Sequence, residues 1–130
     1  MSAMQRTKGA SGEREIAGIL ADETGYVIRR RVRNDRGDSD LTGVPGWSIE
    51  VKRHKTASHG DISKWWDQAV SQAAKECAYP VLFYRADRQE WRAVFHIGMV
   101  LASGEFWRGY DWTVTTSPKA WAAVMRETAT

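Results

Sequence analysis

The residues best placed to do chemistry lie in one stretch, Asp40-Leu-Thr-Gly-Val-Pro-Gly-Trp-Ser-Ile-Glu50-Val-Lys52. An acid stands before a tight Gly/Pro turn, and Glu-x-Lys follows inside an apolar run. Side chains alternate along a β-strand, so Glu50 and Lys52 share one face while Ile49 and Val51 point to the other, into a core. Asp40 falls where a neighbouring strand would end. Two carboxylates beside an ammonium can hold a hard divalent cation on oxygen ligands. Such a site suits attack on a phosphodiester: the cation screens the anion and acidifies water, and lysine adds positive charge where the transition state gains negative charge. A purely structural reading makes Glu50 and Lys52 a same-face pair on an exposed strand, worth roughly a few tenths of a kcal/mol. Glu-x-Lys alone occurs by chance in many strands, so the weight rests on what surrounds it.

The surrounding elements must bring these groups together. Residues 1–10 are polar and read as loose. Ser11 is a plausible N-cap for a helix over 11–24, with Gly25 as its stop and Ile16, Ile19 and Leu20 on its core side. Glu13 and Glu15 then fall in its first turn, where the helix dipole favours acids without any catalysis. Strands over 26–32, 38–42 and 47–53, joined by turns at 34–37 and 43–46, make an antiparallel meander. Asp38 shares the strand face of Asp40 and competes with it for the ligand role. Asp61 caps a second helix. Ile62, Trp65, Trp66, Ala69, Val70, Ala73 and Cys77 form its apolar side, and Lys64, Gln68, Gln72 and Lys75 its polar side. Cys77 is accordingly a small core residue. The continuous apolar run over 80–85 reads as a buried strand, with 91–97 as its hairpin partner. A short strand over 112–115 follows. Ser117-Pro118 opens a last helix with Ala120, Trp121, Val124 and Met125 inward. The class is α/β, with a mixed central sheet flanked by helices.

At 130 residues the chain forms one domain, 11–130 after the loose start. No apolar run reaches membrane-spanning length and the first residues carry no signal-type stretch, so a cytoplasmic protein is expected. A single cysteine excludes an internal disulfide and a cysteine-based zinc cluster. The net charge of +3 is mild, but its distribution is not. Arg29, Arg30, Arg31, Arg33 and Arg36 crowd one segment, and Lys52, Arg53, His54 and Lys55 another. Both flank the carboxylates, which points to a polyanion such as nucleic acid. The alternative is a strand edge protected by charge. His54 and His59 lie on or beside a polar loop, where they contact phosphate or are simply solvated. His96 reads as structural. Trp47 and Trp107 either stack on bases or pack.

Three segments in order carry a resemblance: Gly12-Glu13-Arg14-Glu15-Ile16, then Asp40 through Glu50-Val51-Lys52-Arg53, then Trp66-Asp67-Gln68-Ala69. With the paired strands that follow, they resemble the PD-(D/E)XK nuclease superfamily, and within it the archaeal Holliday-junction resolvases and the resolvase-like endonucleases of bacteriophages. The resemblance covers roughly Gly9 to Ile97 and leaves the tail unexplained. The acid before the turn lacks the proline that often precedes it. The resemblance implies a restriction-endonuclease-like core in the order α-β-β-β-α-β-β plus a C-terminal helix. It implies Mg²⁺, with Mn²⁺ able to substitute, on Asp40, Glu50 and the backbone carbonyl of Val51. Lys52 would orient or help deprotonate the attacking water, Glu13 would complete the acidic cluster, and Gln68 would support the site from the second helix.

The function expected is metal-dependent hydrolysis of DNA, selective for branched structures such as four-way junctions and, as the resemblance implies, leaving a 5′-phosphate and a 3′-hydroxyl. A four-way junction is two-fold symmetric, so a homodimer is expected, with the second helix or the Trp-rich tail as its surface. The motif style suggests a phage or prophage origin. Two other readings remain: nicking or trimming of other branched or duplex DNA, and a non-cleaving DNA-binding accessory protein with the same fold.

Overall fold

The computed structural model describes residues 3–31, 40–101 and 103–128. Arg33, Arg36 and Asp38 lie outside them. The elements are α1 (Ala3–Thr24), β1 (Arg29–Arg30), β2 (Leu41–Thr42), β3 (Trp47–His54), α2 (His59–Glu76), β4 (Tyr79–Ala86), β5 (Arg92–His96), α3 (Gly98–Leu101), a 3-10 turn (Tyr110–Trp112), β6 (Thr113–Thr116) and α4 (Pro118–Thr128). The strands form one six-stranded sheet in sequence order. β1, β2 and β3 are the antiparallel meander. β3 and β4 are parallel, and α2 supplies the crossover that such a pair needs. β4–β5 and β5–β6 are antiparallel.

Alternation along the strands makes two cores. Ile49, Val51, Val81, Phe83 and Phe95 pack with Ile16 and Leu20 of α1 and Trp121 of α4. Leu82 and Val94, from the opposite face, pack with Ile62, Trp66 and Ala69 of α2. The sheet therefore lies between α1 with α4 on one side and α2 on the other. Each layer contributes to what lies at the β2–β3 edge.

Several local expectations are corrected. Helix α1 begins at Ala3, so Ser11 is interior to it and residues 3–10, read as loose, are helical. Its early turns are held down by tertiary bonds: Gln5 Nε2 donates to the Arg53 carbonyl (3.0 Å) and Lys8 Nζ to Asp87 (3.1 Å). Glu13 and Glu15 thus sit far from the helix start, and the dipole does not explain them. Glu15 instead accepts from Arg85 and from the Trp91 indole, tying α1 to β4 and to the residue preceding β5. Ser58, not Asp61, is the N-cap of α2. The two form a capping box, each side chain accepting from the other's backbone N–H at 3.1 Å. Cys77 is exposed: it is the left-handed C-cap (φ 53°), which turns it away from the core. Gln72, placed on the polar side by its type, is buried.

Two glycines set the geometry around the site. Gly43 (φ +129°) lies so close to the Val27 carbonyl that no side chain fits, which keeps the meander tight. A Cβ on Gly12 would meet Arg53 Cβ at 2.6 Å, so α1 can lie against β3 only with glycine there. Gly18, on the same helix, has open space around it. Gly12→Val should lower stability by about 1–3 kcal/mol through overpacking. Gly18→Ala should raise it by about 0.5–1 kcal/mol through helix propensity. Urea denaturation of both variants measures the contrast.

Candidate active site

Strand register explains how the acids meet. Leu41 is opposite Ile49, and Asp40 stands just before β2 with its N–H bonded to the Ile49 carbonyl. Directly opposed residues share a face. Leu41 and Ile49 go into the core beneath α1, so Glu50, one residue on, points the other way, toward α2, where its carboxyl is hydrogen-bonded to that of Asp40. The same parity separates two neighbouring arginines. Arg30 is opposite Leu41 and reaches α1, where Nε bonds Glu13 at 3.0 Å. Arg31 follows on the other face and reaches Glu76 at the end of α2 (3.3 Å).

Backbone bonds hold Asp40 in place. Its N–H donates to the Ile49 carbonyl (2.9 Å), and its carbonyl accepts from Arg31 N–H (3.2 Å). Its Oδ2 accepts from Val51 N–H (2.7 Å). In an antiparallel pairing a residue's N–H and C=O point to the same neighbour, so the Val51 carbonyl is also directed to the Asp40 side.

The electrostatics follow from this crowding. Glu50 is only 3% exposed. Burial, a hydrogen bond to the Asp40 carboxyl and the charge of Asp40 push the Glu50 carboxyl up to about 9, against the opposing pull of Lys52. The Glu13 carboxyl is also raised, first by desolvation; its bond to Arg30 opposes this and the charge of Asp40 adds to it. Two carboxyls this close repel if both are ionised. The fold brings them together regardless, which is what a cation-binding or catalytic site requires.

A cleft of about 660 Å³ opens over these groups. Glu13, Asp40, Val51, Lys52 and Gln68 line it, as do Arg30, Arg31, Arg53 and His54. Glu50 does not reach the cleft wall; it lies beneath, hydrogen-bonded to Asp40. Arg53 is paired with Asp87 (2.6 Å) on the α1 face. Arg29 is exposed outside the cleft. Lys55 lines a separate depression with Tyr84 and Arg92. Gln5, Gly9, Lys64 and Trp65 line the main cleft and were not anticipated. Lys64 had a signal, being one helical turn from Gln68 on α2. Gln5 and Gly9 had none, since residues 3–10 carry no apolar period.

The donors fit a hard cation. Among the described residues no three His, Cys, Asp or Glu side chains converge as a cage. The protein's own donors are thus two carboxylates and a carbonyl directed beside them. Magnesium-type ions are commonly bound through one or two carboxylates and keep several waters. Glu50, buried, lies against the half-buried Asp40, and a divalent cation would relieve the repulsion that the two would feel if ionised.

Comparison with known proteins agrees with this geometry. The model of the family described as "Phage putative PDDEXK endonuclease" matches residues 4–105. Among solved structures, the fold is similar to that of Archaeoglobus fulgidus Hjc, a Holliday junction resolvase from an archaeal hyperthermophile. The TM-score is 0.52 at 20% identity, over 92% of this chain and 96% of that one. No curated protein matches. The mixed six-stranded sheet flanked by helices is the restriction-endonuclease-like core.

The raised Glu50 carboxyl makes stability depend on pH. Between its ordinary value of 4.5 and about 9, the folded chain holds a proton there that the unfolded chain has lost. The folded state binds more protons in that window, so metal-free stability falls as pH rises through it. Glu50→Gln, neutral throughout, should flatten the fall. Denaturation in chelator at about pH 5, 7 and 9 compares the two slopes.

Proposed function

The chain belongs to the phage PDDEXK endonuclease family, and from that premise we propose that it is a metal-dependent, structure-selective DNA endonuclease of resolvase type. The observation that carries this is the Glu50 carboxyl hydrogen-bonded to that of Asp40 beside the Val51 backbone, with Lys52 on the same face of β3 as Glu50 and lining the cleft above. Asp40, Glu50 and the Val51 carbonyl would hold Mg²⁺, or Mn²⁺ in its place. When bound, such a cation screens the phosphate charge and acidifies water.

The chain's own groups do the rest. Asp40, fixed through backbone bonds on both sides, orients its carboxylate without rearrangement. Lys52 presents its ammonium to the negative charge that develops on the phosphate, and helps position the attacking water. Glu13 accepts from Arg30 at the α1 wall and completes the acidic cluster. Gln68, exposed on α2, offers its amide to the phosphate or its water. Water displaces the 3′-oxygen in line, leaving a 5′-phosphate and a 3′-hydroxyl. Arg53 in the cleft, with Arg29 and Lys55 outside it, gives the DNA path its positive charge, and His54 lines that path beside it.

A branched substrate and a homodimer belong to the same proposal, since two symmetric cuts need two sites. The apolar face of α2 is used against the sheet. The tail, by contrast, exposes Phe106, Trp107 and Trp112, which favours it as the surface between copies. Among the described residues no helix is long and apolar enough to cross a membrane. That accords with action on DNA in the cytoplasm of a bacterial host.

Labelled four-way junctions, flaps and linear duplexes incubated with protein and Mg²⁺ test the reading. The junction should be cut in preference, and chelator should stop the reaction. Glu50→Ala should abolish cleavage, and Lys52→Ala should lower kcat about 10²–10³-fold. Binding without cleavage under every divalent ion would replace the enzyme with an accessory DNA-binding protein. Sedimentation of the intact chain decides between monomer and dimer.

A further inference from the structure

We propose that His54 and Trp65 form a stacking platform for an unpaired nucleobase beside the phosphate to be cut, so that the substrate class of this cleft is DNA with an unstacked nucleotide at the cleavage position. This rests on the endonuclease reading above and adds what selects the substrate.

His54 ends the face of β3 that carries Ser48, Glu50 and Lys52. It stands one strand repeat, about 7 Å, beyond Lys52. Its ring is stacked on the Trp65 indole, with centroids 4.7 Å apart and planes 28° apart. Trp65 is anchored behind by Tyr84 at 6.1 Å and by the α2 core. His54 and Trp65 both line the cleft, and Tyr84 does not. The aromatic stack therefore ends at the cleft with the imidazole as its outer layer.

The chemistry of the pair favours a base over a phosphate. Desolvation, and then the charge of Lys52, lower the affinity of His54 for a proton, so the ring is neutral at neutral pH. A neutral ring offers a π-face and no charge. Lys52 and Lys64, in the same cleft, supply the cations for the flanking backbone. Packing α2 against β3 would need only an aliphatic side chain at this half-exposed position. A base inside a duplex has both faces covered by its neighbours, whereas an unstacked base has one to give.

The test uses the full chain and two duplexes, one fully paired and one with a single-nucleotide bulge at the cleavage position. In the first arm the bulged base is 2-aminopurine, and Glu50→Gln keeps the DNA intact. Its emission should fall on binding, and adding His54→Ala should remove the fall. In the second arm, kcat/KM for the bulged over the paired duplex is compared. Stacking of this kind predicts a drop in that ratio of about tenfold in His54→Ala and in Trp65→Leu. Trp65→Phe, which keeps a ring, should preserve it. Should Trp65→Leu fail to fold, His54→Ala carries the comparison alone. An unchanged ratio in His54→Ala, or 2-aminopurine emission indifferent to His54, overturns the platform while leaving the nuclease standing. If the wild type cuts no DNA, the nuclease reading fails, and the fluorescence arm still decides the platform.

Discussion

Two carboxyl groups that would repel each other if both were ionised are held in contact where β2 meets β3. Asp40 cannot withdraw from Glu50, because its N–H, its carbonyl and its Oδ2 are each bound to backbone. Glu50 cannot withdraw into water, because it is buried on the α2 side of the sheet. The unfavourable contact is therefore stored by the fold, and the remaining features of the site follow from it. The raised affinity of Glu50 for a proton, the oxygen-only donor set and the cationic side chains around the cleft all answer the same concentration of negative charge.

That concentration depends on three layers meeting at one edge. α1 brings Glu13, the sheet brings Asp40, Glu50 and Lys52, and α2 brings Lys64, Trp65 and Gln68. The approach of α1 is set by Gly12, whose missing side chain lets the helix lie against Arg53. The approach of α2 is set by its apolar stripe, with Trp66 fully buried on Leu82 and Val94. Neither helix could be displaced by the volume of a side chain without moving its share of the site.

Parity along β3 was legible before any coordinates, because strand alternation has a period of two and the run from Trp47 to His54 is uninterrupted. Glu50 with Lys52 on one face, and Ile49 with Val51 on the other, needed nothing more. The start of α1 was not legible: Gln5, Lys8 and their neighbours have no apolar rhythm, and their helix is held by bonds to β3 and to Asp87 that lie far away in sequence. Cys77 misled because a helical period was extended one residue past the real end of α2, where a left-handed cap turns the chain. The arginine cluster was legible as charge but not as direction. Composition cannot say that Arg30 and Arg31 serve internal carboxylates while Arg29 faces solvent.

The divergence of Arg30 and Arg31 has a mechanical side. β1 and β2 are two residues each, and so short a ladder has few hydrogen bonds with which to fix its alignment. A slip by one residue would turn every side chain to the other layer. Each guanidinium would then face the helix that carries the other's partner, at the wrong height, and both ion pairs would be lost together. The two pairs act as opposed guy-ropes on a narrow strip, one made fast to each helix. They penalise rotation in either direction, and the side chain whose aim they protect is Asp40.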